Sequence, residues 1–174
     1  MRSALLIFLF LINFSSVLIS QENAESYYAK YATAMDDSNY FEAKLFLQMA
    51  ISMNEFNWKY HNSMGYLLIN TRNYENAVKY FDKAIKLTKE EFNVFWGRGK
   101  AFLKLQKFEK AISDFNYTIL NFPNEFVVRF GFVHSDRGKA YLFSGNKDKA
   151  CIDFIEARNR NFGGTESYIK DFCN

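Results

Sequence analysis

The chain has 174 residues, material for one domain, and 49% of them are hydrophobic and 19% aromatic, enough for a large core. A formal net charge of +3 does not point to a general electrostatic role on nucleic acid or on a membrane surface. One proline in the whole chain favours helices over proline-punctuated strands, and 20 Phe with 11 Tyr suit helices that interlock through large side chains.

Residues 1–20 differ in kind from the rest. Met1-Arg2 gives a short positive start, Ala4 to Phe14 is an apolar run, and Ser15 to Ser20 leads into the polar Gln21-Glu22-Asn23. This is the layout of a secretory signal peptide with cleavage after Ser20. The alternative is a retained membrane anchor, although the run is shorter than the ~20 residues that span a bilayer. No Cys follows the run, which argues against a lipid-modified N-terminus. Removal of the segment leaves no membrane span and predicts an exported chain.

From Trp58 to Pro123, two consecutive segments align residue for residue. Gly65 falls on Gly99, Leu68 on Phe102, Tyr74 on Phe108, Ala77 on Ala111 and Phe81 on Phe115, all at an offset of 34. A fixed offset of that size marks stacked helix-turn-helix units. The glycine stands where two helices nearly touch, the alanine where the second nests against the first, and the ring fills the space between units. In this register, with Gly65-x-x-Leu68, Ala77-x-x-x-Phe81 and Ala84, then Gly99-x-x-Phe102, Ala111-x-x-x-Phe115 and Pro123, the chain resembles the tetratricopeptide repeat family. The resemblance covers nearly everything after residue 23. It implies an all-α, right-handed superhelical solenoid of four helix-turn-helix units with a C-terminal capping helix, occupying residues 24–174.

The first unit, about 24–57, has Ala43, Leu47 and Ala50 at the expected places but Tyr31 where the others carry Gly. Either its helices stand further apart, or Ala32 takes the role by a one-residue shift. Units 58–91 and 92–125 match best. The fourth, 131–164, keeps Gly138, Tyr141, Ala150, Phe154 and Ala157, yet Ala150 follows Ala111 by 39. The extra residues, around Phe122 to Arg129, either lengthen a helix or bulge as a loop. Gly163-Gly164 is expected to stop the last helix. A capping helix at 165–173 would cover the end of the stack with Tyr168, Ile169 and Phe172. Between the helices of each unit lies a turn, Asp37 to Tyr40, Thr71 to Tyr74, Leu105 to Phe108 and Ser144 to Lys147, whose Asn and Ser residues are expected to cap the next helix.

In an oxidising compartment the even pair Cys151 and Cys173 invites a disulfide; the other reading is two unpaired core thiols. The segment from Ala150 to Cys173 also resembles the closing repeat of exported repeat proteins from Bacteroidetes, which implies a periplasmic or extracellular protein of a bacterial envelope.

Chemistry is sparse. The sequence has no Gly-rich phosphate loop, no His-x-x-x-His and no Cys-x-x-Cys, and its two histidines, His61 and His134, share a repeat position that the family packs between helices. Asp114 and Asp153 recur in register, as solvated faces or inter-repeat pairing would produce. We therefore expect no enzyme, no cofactor and no metal. The family's groove positions, carried onto this chain, give Tyr28, Ala32 and Met35; Asn62, Tyr66 and Ile69; Asn93, Trp96, Lys100, Leu103 and Lys104; and Phe132, Ser135, Lys139 and Leu142. Aromatic platforms beside lysines suit a protein or extended peptide with an acidic or carboxylate group. The two-carboxylate clamp of the chaperone-tail members is not matched, since only Asn93 among its positions carries a clamp residue. The resemblance implies a protein-binding scaffold or adaptor. The alternative is a structural assembly subunit that binds through its convex face or stack ends.

Overall fold

The computed structural model describes residues 22–129 and 131–173; the expected signal peptide lies outside them. Among the described residues all regular structure is helical, in four pairs: α1 (Ala24–Asp36) with α2 (Tyr40–Met53), α3 (Trp58–Asn70) with α4 (Tyr74–Leu87), α5 (Phe92–Lys104) with α6 (Phe108–Asn121), and α8 (Phe132–Phe143) with α9 (Lys147–Asn159). A single turn, α7 (Phe126–Arg129), precedes the fourth pair, and α10 (Glu166–Phe172) follows it.

Each second helix buries a set of three residues at spacings of four and three, which is one face of a helix, and α6 and α9 bury an aspartate beside it. The sets are Ala43, Leu47 and Ala50; Ala77, Phe81 and Ala84; Ala111, Phe115 and Thr118; and Ala150, Phe154 and Ala157. The central ring lies against the glycine of its partner helix. A Cβ on Gly65 would stand 2.7 Å from the Phe81 ring, on Gly99 2.6 Å from Phe115, and on Gly138 2.7 Å from Phe154. Burying each ring contributes ~2–3 kcal/mol, and only a missing side chain lets it seat. In the first unit the volumes are exchanged: Tyr31 packs into the cluster that holds Leu47, the smaller residue in the ring's place. Neither expected solution for Tyr31 is used, and Ala32 is exposed.

Every first helix stops the same way. Ser38, Arg72, Gln106 and Gly145 adopt left-handed φ of 56°, 59°, 56° and 86°. The amide after each, from Asn39, Asn73, Lys107 and Asn146, returns to the carbonyl of Ala34, Leu68, Phe102 or Tyr141 at 2.8–2.9 Å. The turn residues cap less uniformly than expected. Asn39 and Asn146 accept the amides of Glu42 and Lys149, whereas Asn73 and Lys107 make no side-chain cap, and Ser38 is the left-handed residue.

Units stack by packing the second helix of one on the first helix of the next: α2 on α3, α4 on α5, α6 on α8. First helices also reach one another, α3 to α5 and α5 to α8, while successive second helices make no comparable contact. The first helices therefore line the inside of the curve.

The five additional residues do not lengthen α8; the connection that holds them contains the separate four-residue turn α7. Gly131 then enters α8 with φ 81°, and a Cβ there would lie 2.7 Å from the carbonyl oxygen of Ala157. Helix α9 ends at Asn159 and the chain turns at Asn161 (φ 66°), with the Phe162 amide on the Ala157 carbonyl at 3.0 Å, ahead of the glycine pair that was expected to end it. Tyr168 of α10 stacks on Phe154 at 4.7 Å between centroids, while Phe172 stays 39% exposed, so the cap covers less than its sequence suggests. A disulfide joins Cys151 to Cys173, with Cα atoms 5.4 Å apart. Closing a loop of that size stabilises the fold by about 3 kcal/mol in the chain-entropy picture.

Candidate functional site

The inner face is built around Trp96 in the middle of α5. Its indole N–H donates to Asp136 Oδ2 on α8 at 2.9 Å, which fixes the ring between the two helices. Lys100, one turn on, holds its ammonium 4.6 Å from the Trp96 ring centroid and 6.0 Å from that of Tyr66 on α3. Tyr66 in turn donates its hydroxyl to the Asn93 carbonyl at 2.9 Å, and burial raises its pKa. Lys139 Nζ lies 3.3 Å from Asp136 Oδ1, so one carboxylate serves both the indole and an ammonium.

Gly97 makes this arrangement possible. A Cβ at that position would meet the Phe81 ring at 2.5 Å and Tyr66 Cζ at 3.0 Å. The bare backbone lets Tyr66 lie across α5 and offer its ring to Lys100.

Of the residues placed in the groove by sequence, the structure gathers Tyr66, Asn93, Trp96, Lys100 and Lys139 into one contiguous set. Lys104 is exposed at the end of α5. Tyr28 joins a separate junction, sharing a 2.9 Å hydrogen bond with Ser63. Asn62 is buried and its Oδ1 has no partner; the Asn93 Oδ1 is likewise buried without one. Phe132 packs with Phe126 and Phe162, at 5.5 and 4.9 Å, and leans on the same buried cluster as Trp96.

Asp136 escaped the sequence reading because its register mates, Ser63 and Gly97, are not acidic. The arginines escaped too, although their signal was present. Arg98 and Arg137 each precede an in-register aspartate by 16 residues and grip it with two bonds: Nε and Nη2 of Arg98 to Asp114 at 2.8 and 2.7 Å, and those of Arg137 to Asp153 at 2.8 and 2.7 Å. Their remaining Nη1 atoms cross to the preceding unit, to Asp82 and Asn116, both at 2.6 Å. Asp114 and Asp153 are thus 5% and 2% exposed, which replaces the solvated-face reading with buried pairing inside and between units. Burial pushes both carboxyls up, and the guanidinium bonds offset only part of that.

His61 and His134 are buried, as a packing role requires. His61 Nε2 contacts the Glu55 carbonyl at 2.7 Å, and burial together with Arg160 and Arg137 lowers the His134 pKa to about 4. Among the described residues no cluster of three His, Cys, Asp or Glu is placed to hold a metal ion. Among the same residues no helix is long and apolar enough to cross a membrane.

Residues 59–91 match the tetratricopeptide repeat. Over 76 residues, 44% of this chain, the sequence is 28% identical to Superkiller protein 3 of Schizosaccharomyces pombe, and it spans 5% of that protein's length. Among solved structures, MamA from Desulfovibrio magneticus RS-1 superposes with a TM-score of 0.72 at 20% identity, over 79% of this chain and 75% of that one. A chain of the APC/C hetero-tetramer Cut9-Hcn1 gives 0.77 at 19% identity, over 87% of this chain and 30% of that one. The match over 59–91 supports the tetratricopeptide repeat family, and the fold is an all-α solenoid of such repeats.

Proposed function

We propose that this chain is a non-enzymatic scaffold that captures a segment of another protein along the face lined by α3, α5 and α8. The observation that carries the reading is the Trp96, Lys100 and Tyr66 set: two fixed rings with an ammonium between them, on the inner side of the stack. A pinned indole loses little freedom on binding, and the ammonium beside it favours an acidic or carboxylate group on the partner. The hetero-tetramer Cut9-Hcn1 uses a related fold within a protein assembly. We further propose that the chain works outside the cytoplasm. The Ala4 to Phe14 run and the Cys151–Cys173 bridge both favour an exported protein.

A second reading, assembly through the outer surface, is favoured by exposed rings and aliphatics away from the inner face: Phe41 at 81%, Phe56 at 75%, Leu120 at 78% and Ile152 at 67%. Crosslinking mass spectrometry on cells making the full chain separates the two. Trp96→Ala with Lys100→Glu should abolish capture while leaving helical content intact. Capture that survives this change and is lost instead with Phe41→Ser or Leu120→Ser would move the interface to the outer surface.

A further inference from the structure

Beyond the Trp96 set, toward the C-terminal end of the stack, lies a cavity of 650 Å³ between the end of α5, the start of α6, α8 and the capping helix. That size is within the range of about 300–1,000 Å³ typical of ligand pockets. Its walls are Leu103, Phe108, Phe143 and Tyr168, and its two charges are Lys104 and Lys139. No carboxylate is among its described lining residues; Asp136 stands behind Lys139 rather than in the cavity. Three rings and two ammonium groups complement an aromatic side chain with acidic neighbours.

One wall is not part of a repeat. Tyr168 belongs to α10, a helix of seven residues with none buried, too short to persist alone. It is held at its start by the buried Thr165 and the Phe132–Phe162 contact at 4.9 Å, in its middle by the Tyr168–Phe154 stack, and at its end by the disulfide to α9. Both sulfurs belong to half-buried residues beside a surface cleft that also involves Lys147 and Phe172, so a reductant has a route to them.

We propose that this pocket receives an aromatic side chain flanked by carboxylates on the captured segment, and that the Cys151–Cys173 bridge, by fixing Tyr168, keeps the pocket in its receptive form. The proposal rests on the inner-face reading above and adds to it a specificity pocket under thiol control. A dithiol reductant supplies two electrons and two protons. The S–S bond breaks, this chain keeps two thiols, and the reductant leaves as a disulfide. The end of α10 is then free to leave α9, and the pocket loses its Tyr168 wall.

The test uses fluorescence anisotropy of the fluorescein-labelled peptides Glu-Phe-Glu-Phe-Glu and Glu-Ala-Glu-Ala-Glu on the full chain. The oxidised protein should prefer the Phe peptide about tenfold, which corresponds to about 1.4 kcal/mol. Phe143→Ala, at an exposed site that leaves the core intact, should erase the preference, and Lys104→Glu should weaken both peptides. Reduction with dithiothreitol, or Cys151→Ser/Cys173→Ser, should cut Phe-peptide affinity at least fivefold. Amide exchange should rise over 166–172 and stay unchanged over 58–121. Equal binding of the two peptides, or equal binding of the Phe peptide before and after reduction, overturns the proposal. If both peptides bind equally and Trp96→Ala/Lys100→Glu abolishes that binding, the pocket falls and the inner-face reading stands. If neither peptide binds, both fall. Should the cysteine variant fail to fold, Phe143→Ala in the oxidised protein decides the pocket, and exchange on brief reduction decides the control.

Discussion

The indole N–H of Trp96 donates to Asp136, and the same link stands two units earlier between Tyr28 and Ser63, each near 2.9 Å. Both join equivalent positions of successive first helices, so the inner face is stitched at its first and third junctions by a hydrogen bond between an aromatic side chain and a short polar one. The middle junction would be Asn62 with Gly97, where there is no side chain to meet it and Asn62 Oδ1 is left without a partner. Tyr66 takes over there, reaching across Gly97 to the Asn93 carbonyl. The face that offers rings to a partner is thus also the seam that holds the stack.

Trp96→Phe separates those two roles. It keeps a ring under Lys100 and removes the donor to Asp136, which retains Lys139. We expect a loss of about 1 kcal/mol of stability, read from the urea midpoint, with capture of a partner retained in crosslinking. A much larger stability loss would mean that the indole packs more than it bonds.

The arginine–aspartate pairs predict a non-additive double mutant. Asp114→Ala leaves Arg98 with only Asp82 and should cost roughly 3–5 kcal/mol. At the same positions the second unit carries Met64 and Tyr80, both in its apolar cluster. Arg98→Met with Asp114→Tyr should therefore cost less than Asp114→Ala, within about 1 kcal/mol of the parent. Denaturant titration of Arg98→Met, Asp114→Tyr and their double, beside Asp114→Ala, checks the cycle.

Acid should weaken the fold through His134. Its folded pKa, about 4, lies below the ordinary 6.5, so between those values the unfolded chain binds a proton that the folded chain refuses. Stability from this group is complete above pH 6.5 and falls as the pH drops toward 4, by at most ~3 kcal/mol. The raised carboxyls of Asp114 and Asp153 act in the opposite sense at low pH and are common to parent and variant. His134→Phe, which installs the ring found at the equivalent Phe95, should remove the extra slope in urea midpoints between pH 7 and pH 4.5. An unchanged slope would show that His134 does not carry it.

Two glycines with similar backbones should differ sharply. Gly145 (φ 86°) has no atom within 4 Å of a built Cβ, and its counterparts are Ser38, Arg72 and Gln106. Gly145→Gln should cost about 1 kcal/mol, the left-handed penalty alone. Gly131 (φ 81°) meets the Ala157 backbone at 2.7 Å, so Gly131→Ala adds a clash that α9 must move to relieve. We expect at least ~2 kcal/mol from the two effects together, measured as the fall in denaturant midpoint.

Sequence alone determined the repeat. The offset of 34, the glycines opposed to rings and the alanines one turn away follow from local helix geometry, where a residue's face is set by its spacing. The exchange at Tyr31 and Leu47, the separate turn at α7 and the early turn at Asn161 were not legible in that pattern, because each depends on what a neighbouring helix leaves vacant. The candidate site divides the same way. Trp96, Lys100 and Tyr66 were visible as residue types in register, but Asp136 was not, since it works only through α8 lying beside α5. Arg98 and Arg137 were visible as a recurrence and invisible as a bond. A period says which residues share a face; only packing in three dimensions decides which of them spend their polar groups on each other, and which, like the exposed Lys104, remain available to a partner.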